Sequence, residues 1–148
     1  MKKFAQMMID DHSKARDGLN AVAEKHNVST TALLDQKHRD LKEKLAALKG
    51  TEFDRQYIDA MVDGHKGVLD KLEARVDKDK LADWKTKMKD RMPGTPESVV
   101  SVTPERSDNP VTMAINEWAA QAYPVVAMHA DKANALDETL KKGRPTTN

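Results

Sequence analysis

The sequence predicts an all-α protein, an up-and-down bundle of four to five helices with a long Pro-rich loop before the last one. Three observations carry that reading. Apolar residues recur at steps of three and four over long windows, which is the spacing of one helix face. Cap and stop residues separate those windows: Ser29-Thr30, Gly50-Thr51 and Asn109-Pro110. A chain of 148 residues without cysteine is also long enough to bury about 68–70% of its unfolded surface in one domain without covalent staples.

Residues 2–26 form the first expected helix, with Phe4, Met8, His12, Ala15, Leu19, Val22 and His26 along one face. Gly18 weakens it by about 1 kcal/mol relative to Ala but does not end it. Asn27-Val28-Ser29 breaks the pattern, and Ser29 or Thr30 stands ready to cap the next helix. A second helix is expected over 31–48 on Leu34, His38, Leu41, Leu45 and Leu48, with Gly50 as its stop. Thr51, with Glu52 and Asp54 close behind, opens a third over 52–76. Its face carries Phe53, Tyr57, Met61, His65, Val68 and Leu72. Residues 77–91 align Leu81, Trp84 and Met88, and read either as a fourth short helix or as the end of the third.

Four of the six prolines lie between Pro93 and Pro110. Compact domains seldom carry loops of that length, so 93–109 reads as an insertion within a single domain spanning 1–142. Val99-Val100-Ser101-Val102 can pair there as a short extended segment. Asn109 then supplies an N-cap and Pro110 the first helical position of a last helix over 110–142. Its face carries Ile115, Trp118, Ala122, Val126, His129, Ala133, Leu136 and Leu140. Pro124 removes one backbone hydrogen bond inside it and is expected to bend it ahead of His129. Residues 143–148 read as a disordered tail.

The charges nearly cancel, 25 basic against 24 acidic, so no phosphate-binding stripe marks a nucleic-acid partner. Absence of cysteine excludes disulfides, thiolate metal sites and a cysteine nucleophile. Asp10 and Asp11 interrupt the apolar run after Met1-Lys2-Lys3 too early for a signal peptide. The longest stretch without a formal charge, Trp118 to Ala130, falls short of the roughly 20 apolar residues of a transmembrane span.

Chemistry concentrates in the histidines. His12, His38, His65 and His129 fall in line with the apolar residues of four different helices, and bundles place metal sites on such inward faces. Three readings stay open. Each histidine is a core-edge residue satisfied by a carbonyl or carboxylate, or at least two of His12, His65 and His129 share a metal, or the histidines form a pH-sensitive network, since histidine titrates near neutrality. Asp10 and His12 cannot chelate together, nor can Asp63 and His65, because positions two apart on a helix point about 200° from each other. Met8 with His12 and Met61 with His65 are four apart on one face. Thioether plus imidazole is a soft donor set that favours copper, although methionine also fills irregular cores well. His38 is a further candidate ligand.

Catalytic constellations are missing. No histidine has Glu three residues before it, which argues against a carboxylate-bridged di-iron centre, so copper or zinc is the favoured metal class. His-Glu-x-x-His, Gly-rich phosphate loops and Gly-x-Ser-x-Gly are absent as well. An enzyme is therefore not the expected reading.

The first and third expected helices repeat one another: Phe4 matches Tyr57, Met8 Met61, Asp10 Asp63, His12 His65, Asp17 Asp70 and Leu19 Leu72. Together with Lys37-His38, Phe53-Asp-Arg-Gln-Tyr57 and Tyr123-Pro-Val-Val-Ala-Met-His129, these motifs resemble a bacterial domain family of unknown function with a ferritin-like helical fold. Its members are often labelled outer-membrane proteins. The resemblance covers about 2–76 and 110–140. It implies a ferritin-like bundle exported to the periplasm or cell envelope, with His12, His65 and His129 as the positions of a metal or polar site. Family members carry a further helix and a signal sequence ahead of the segment that begins here at Phe4. The Trp84 helix or a second copy of the chain is expected to take that place, and without a signal peptide a cytoplasmic location stays open. The function so implied is a non-catalytic, envelope-associated bundle that binds a transition metal. The alternatives are a structural or interaction protein related to stress or the envelope, and a ferritin-like redox enzyme.

Overall fold

The computed structural model describes residues 1–30, 33–89 and 102–143. Among the described residues five helices make up the regular structure: α1 (Lys2–Lys25), α2 (Gln36–Ala46), α3 (Gly50–Glu73), α4 (Lys78–Met88) and α5 (Pro110–Lys142). The expectations for residues 31–32, 93–101 and 144–148, including most of the Pro-rich segment and the tail, fall outside the described residues.

Local chemistry explains most of the boundaries. Asp35, Asp77 and Asn109 each accept a hydrogen bond from the backbone N–H three residues on, which caps α2, α4 and α5. Past the end of α1, Asn27 adopts a left-handed φ of 54°. The N–H of Val28 then reaches back to the carbonyl of Ala23 at 2.8 Å, closing the helix in a Schellman turn. Gly50, with φ of 58°, makes the left-handed turn that opens α3. The second helix is shorter than its leucine pattern suggests: Leu34 precedes it and is exposed, and no residue of α2 is buried.

The third helix stops at Glu73, so the Trp84 segment is a helix of its own. Between them the chain turns extended. Val76 bridges Pro104 in antiparallel fashion, the N–H of Asp77 donates to Thr103 at 2.9 Å, and the N–H of Glu105 donates to Arg75 at 3.0 Å. Buried Val102 docks this returning segment on the core. Pairing here thus involves 102–105. The last helix runs without interruption through buried Pro124.

Packing sets the helix directions. Phe4 of α1 stacks edge-on against Tyr57 of α3, and farther along the same two helices His12 approaches His65. The repeated motif therefore places equivalent residues at equal heights on two parallel helices. Along α5 the order is reversed: Ala133 packs with Phe4, Met8 and Ile58, whereas Ala119, Ala120, Ala122, Tyr123 and Val126 pack with Leu72 and Leu81. Buried alanines on α5 let its neighbours approach closely, and each fully buried large side chain such as Ile58 contributes about 1.5–3 kcal/mol. Two apolar clusters result, and His12, His65 and His129 occupy the layer between them.

Candidate metal centre

The site is built from the repeat and one residue of α5. Four positions beyond Met8 and Met61, which belong to the cluster built on Phe4 and Ile58, come His12 and His65. On the antiparallel helix, His129 lies one turn before Ala133 of that same cluster. The three rings meet with centroid separations of 5.6, 5.3 and 5.6 Å. One nitrogen from each ring lies within 4.8 Å of the others. Tetrahedral zinc, with Zn–N near 2.0–2.1 Å, holds its nitrogens about 3.3–3.4 Å apart, so a swing of each ring by under roughly an ångström closes the difference.

Hydrogen bonds fix the tautomers of the two buried rings. Nδ1 of His65 sits 2.7 Å from the carbonyl oxygen of Met61. A carbonyl only accepts, so Nδ1 carries the proton and Nε2 keeps the lone pair. Nε2 of His129 sits 3.0 Å from Oδ2 of Asp11. The carboxylate accepts there, which leaves the lone pair on Nδ1. Both remaining nitrogens, Nε2 of His65 and Nδ1 of His129, are buried and have no hydrogen-bond partner. Nε2 of His26 is orphaned too, but it lies about 20 Å further along α1 from His12 at 1.5 Å per residue. Ligating histidines characteristically donate their second ring N–H to a carbonyl or carboxylate in this way.

Electrostatics favour the neutral, metal-binding form of His12 and His129. His129, 1% exposed, has its pKa lowered by burial. The hydrogen bond to Asp11 works the other way, and the neighbouring His12 and His65 add to the lowering. His12 is lowered as well, first by burial and then by His65, against Asp11. His12 retains exposed surface, yet the atoms crowded around its ring still disfavour the charged form.

The structure brings together only part of the expected set. His38 lies on exposed α2, where its ring contacts Asp35 at 2.7 Å beside the N-cap, and it does not join the other three. The sulfurs of Met8 and Met61 belong to residues of the apolar layer one turn below the rings. Asp10 and Asp63 are exposed. Sequence reasoning missed Asp11, and the signal was available. Within the repeat, Asp11 aligns with Gly64, so the two helices differ at the position where α1 alone must serve a histidine of α5. Trp118 was also missed as part of the surroundings: its indole N–H donates to the carbonyl of Ala15 at 2.9 Å and seats the ring beside Gly18.

Among the described residues no helix is long and apolar enough to cross a membrane. No curated protein and no solved structure matches the chain. The family described as a domain of unknown function, DUF4142, matches residues 1–98, a span that holds His12, His65 and Asp11 but ends before α5 and His129. With about two thirds of its length matched, the chain belongs to this DUF4142 family.

Proposed function

We propose that this protein binds one transition-metal ion of the zinc or copper class through His12, His65 and His129. The observation that carries the reading is the pair of tautomer-locked imidazoles whose remaining lone pairs are buried and unpartnered, in a cluster where each of three rings brings one nitrogen within 4.8 Å of the others. Each buried unpaired polar atom costs about 1–3 kcal/mol, and unlike the other orphans among the described residues, Nε2 of His26 and Oδ1 of Asn116, these two sit on rings gathered with a third imidazole. Three neutral imidazoles form a borderline-soft donor set, which suits zinc and copper better than a di-iron pair built on bridging carboxylates. Met8 and Met61 pack beneath the ligands in this reading, and Asp11 holds His129 from behind. Three protein ligands leave a coordination position open. The motif resemblance supports extending the proposal to a ferritin-like, envelope-associated bundle.

Equilibrium dialysis with metal quantification tests the proposal. One equivalent of zinc or copper per chain is expected, with loss of stoichiometric uptake in His65→Ala and His129→Ala. Uptake that is absent for zinc, copper, nickel and cobalt alike, or that is unchanged in both variants, overturns it.

A further inference from the structure

The three imidazoles surround the proposed ion unequally. His12 and His129, but not His65, form part of the wall of a cavity of about 220 Å³ between α1 and α5. A fourth ligand for the proposed ion would have its way in from that cavity, which shares His12 and His129 with the histidine cluster. Its other walls are largely apolar. Trp118 donates its one polar hydrogen to Ala15 at 2.9 Å, so the indole presents carbon to the space. Val125 and Val126 line it from α5. Gly18 contributes no side chain where α1 passes the indole, and a Cβ there would lie 3.4 Å from Cδ1 of Trp118. Alanine fits in that slot, and a longer side chain occupies the cavity.

Charge and size narrow the occupant. Three neutral imidazoles leave the dication uncompensated, and the carboxylate of Asp11 is engaged by His129 at 3.0 Å and by Lys14 at 3.6 Å. An anionic head is favoured on the metal. An apolar cavity of about 150 Å³ takes up benzene, so the larger space here accommodates one ring and a carboxylate.

Building on the metal reading above, we infer that this cavity binds a small single-ring aromatic monocarboxylate, with its carboxylate on the metal's open position and its ring against Trp118. The test uses the cobalt(II)-loaded full chain, whose visible absorption reports ligand exchange, titrated with benzoate and with acetate. Benzoate is expected to saturate at least about tenfold more tightly than acetate, a difference of about 1.4 kcal/mol. Gly18→Leu is expected to retain cobalt and lose that advantage, and Val125→Phe fills the same space should Gly18→Leu fail to fold. Equal affinities, no spectral response to either acid, or an advantage that survives in a folded, cavity-filled variant overturns the inference while the metal reading stands. No uptake of cobalt, zinc, copper or nickel overturns the metal reading, and this inference with it; a chain that loads only with one of the other metals is titrated in that form with the same two acids by calorimetry, to the same expectations.

Discussion

Asp11→Asn isolates the residue that turns His129 from a satisfied core histidine into a ligand. In the native protein the carboxylate accepts from Nε2 of His129 at 3.0 Å, and the lone pair is forced onto the buried, unpartnered Nδ1. The asparagine keeps the shape but can turn its NH2 toward Nε2. The imidazole then protonates at Nδ1, and its donor to the metal is gone. Loss of a group that orients a ligating histidine costs about 10–100-fold in metal affinity, or about 1.4–2.7 kcal/mol. The hydrogen bond itself, made to a charged group, contributes about 1.5–3 kcal/mol to the fold. Because the Asp11 side chain keeps 24% of its surface exposed, the lower half of that range is expected. Competition against a chromogenic zinc chelator gives the affinity, and nitrogen chemical shifts of the labelled imidazole report the tautomer. Unchanged affinity, or a His129 that keeps its Nε2 proton in the variant while binding weakens, refutes the reasoning.

The same geometry carries three more expectations. His65→Leu removes a buried orphan nitrogen and should raise the metal-free melting temperature by several degrees, about 1–2 kcal/mol, while abolishing metal uptake; thermal denaturation in chelator checks the sign. The metal-free protein should lose stability in acid. The pKa values of His12 and His129 lie below their ordinary 6.5 in the folded chain, so below pH 6.5 the unfolded chain takes up protons that the folded chain does not. Stability is full above that pH and declines as pH falls through the lowered folded values, which urea titrations across pH 7.5 to about 5 should show. Gly50→Ala meets no steric obstacle but must adopt a φ of +58°, at a cost of about 1–2 kcal/mol visible as a lower urea midpoint.

Much of this arrangement is legible in the sequence because the repeat and the helix period carry the same information. Phe4, Met8 and His12 on one helix and Tyr57, Met61 and His65 on another share a face and a spacing, and parallel packing converts the match into shared layers. The pattern misleads where a local interaction outcompetes it. Leu34, Leu41 and Leu45 suggest a long buried second helix, but the Asp35 cap starts it late and α2 buries none of its residues, so His38 ends near its own cap instead of the core. Asp11 shows the opposite failure. Its role depends on an antiparallel neighbour far along the chain, and no helical period encodes that partner. Only its mismatch with Gly64 within the repeat marks the place. Trp118 reads as one more apolar-face residue until folding brings Gly18 and the carbonyl of Ala15 within its reach.

The central claim names atoms, and diffraction from crystals of the zinc-loaded protein at the zinc absorption edge tests it most directly. The account predicts one anomalous peak per chain, about 2.0–2.1 Å from Nε2 of His65 and Nδ1 of His129, with His12 as the third ligand and the Asp11–His129 hydrogen bond intact. A peak elsewhere on the molecule, or zinc held through the opposite nitrogens of those two rings, would contradict it.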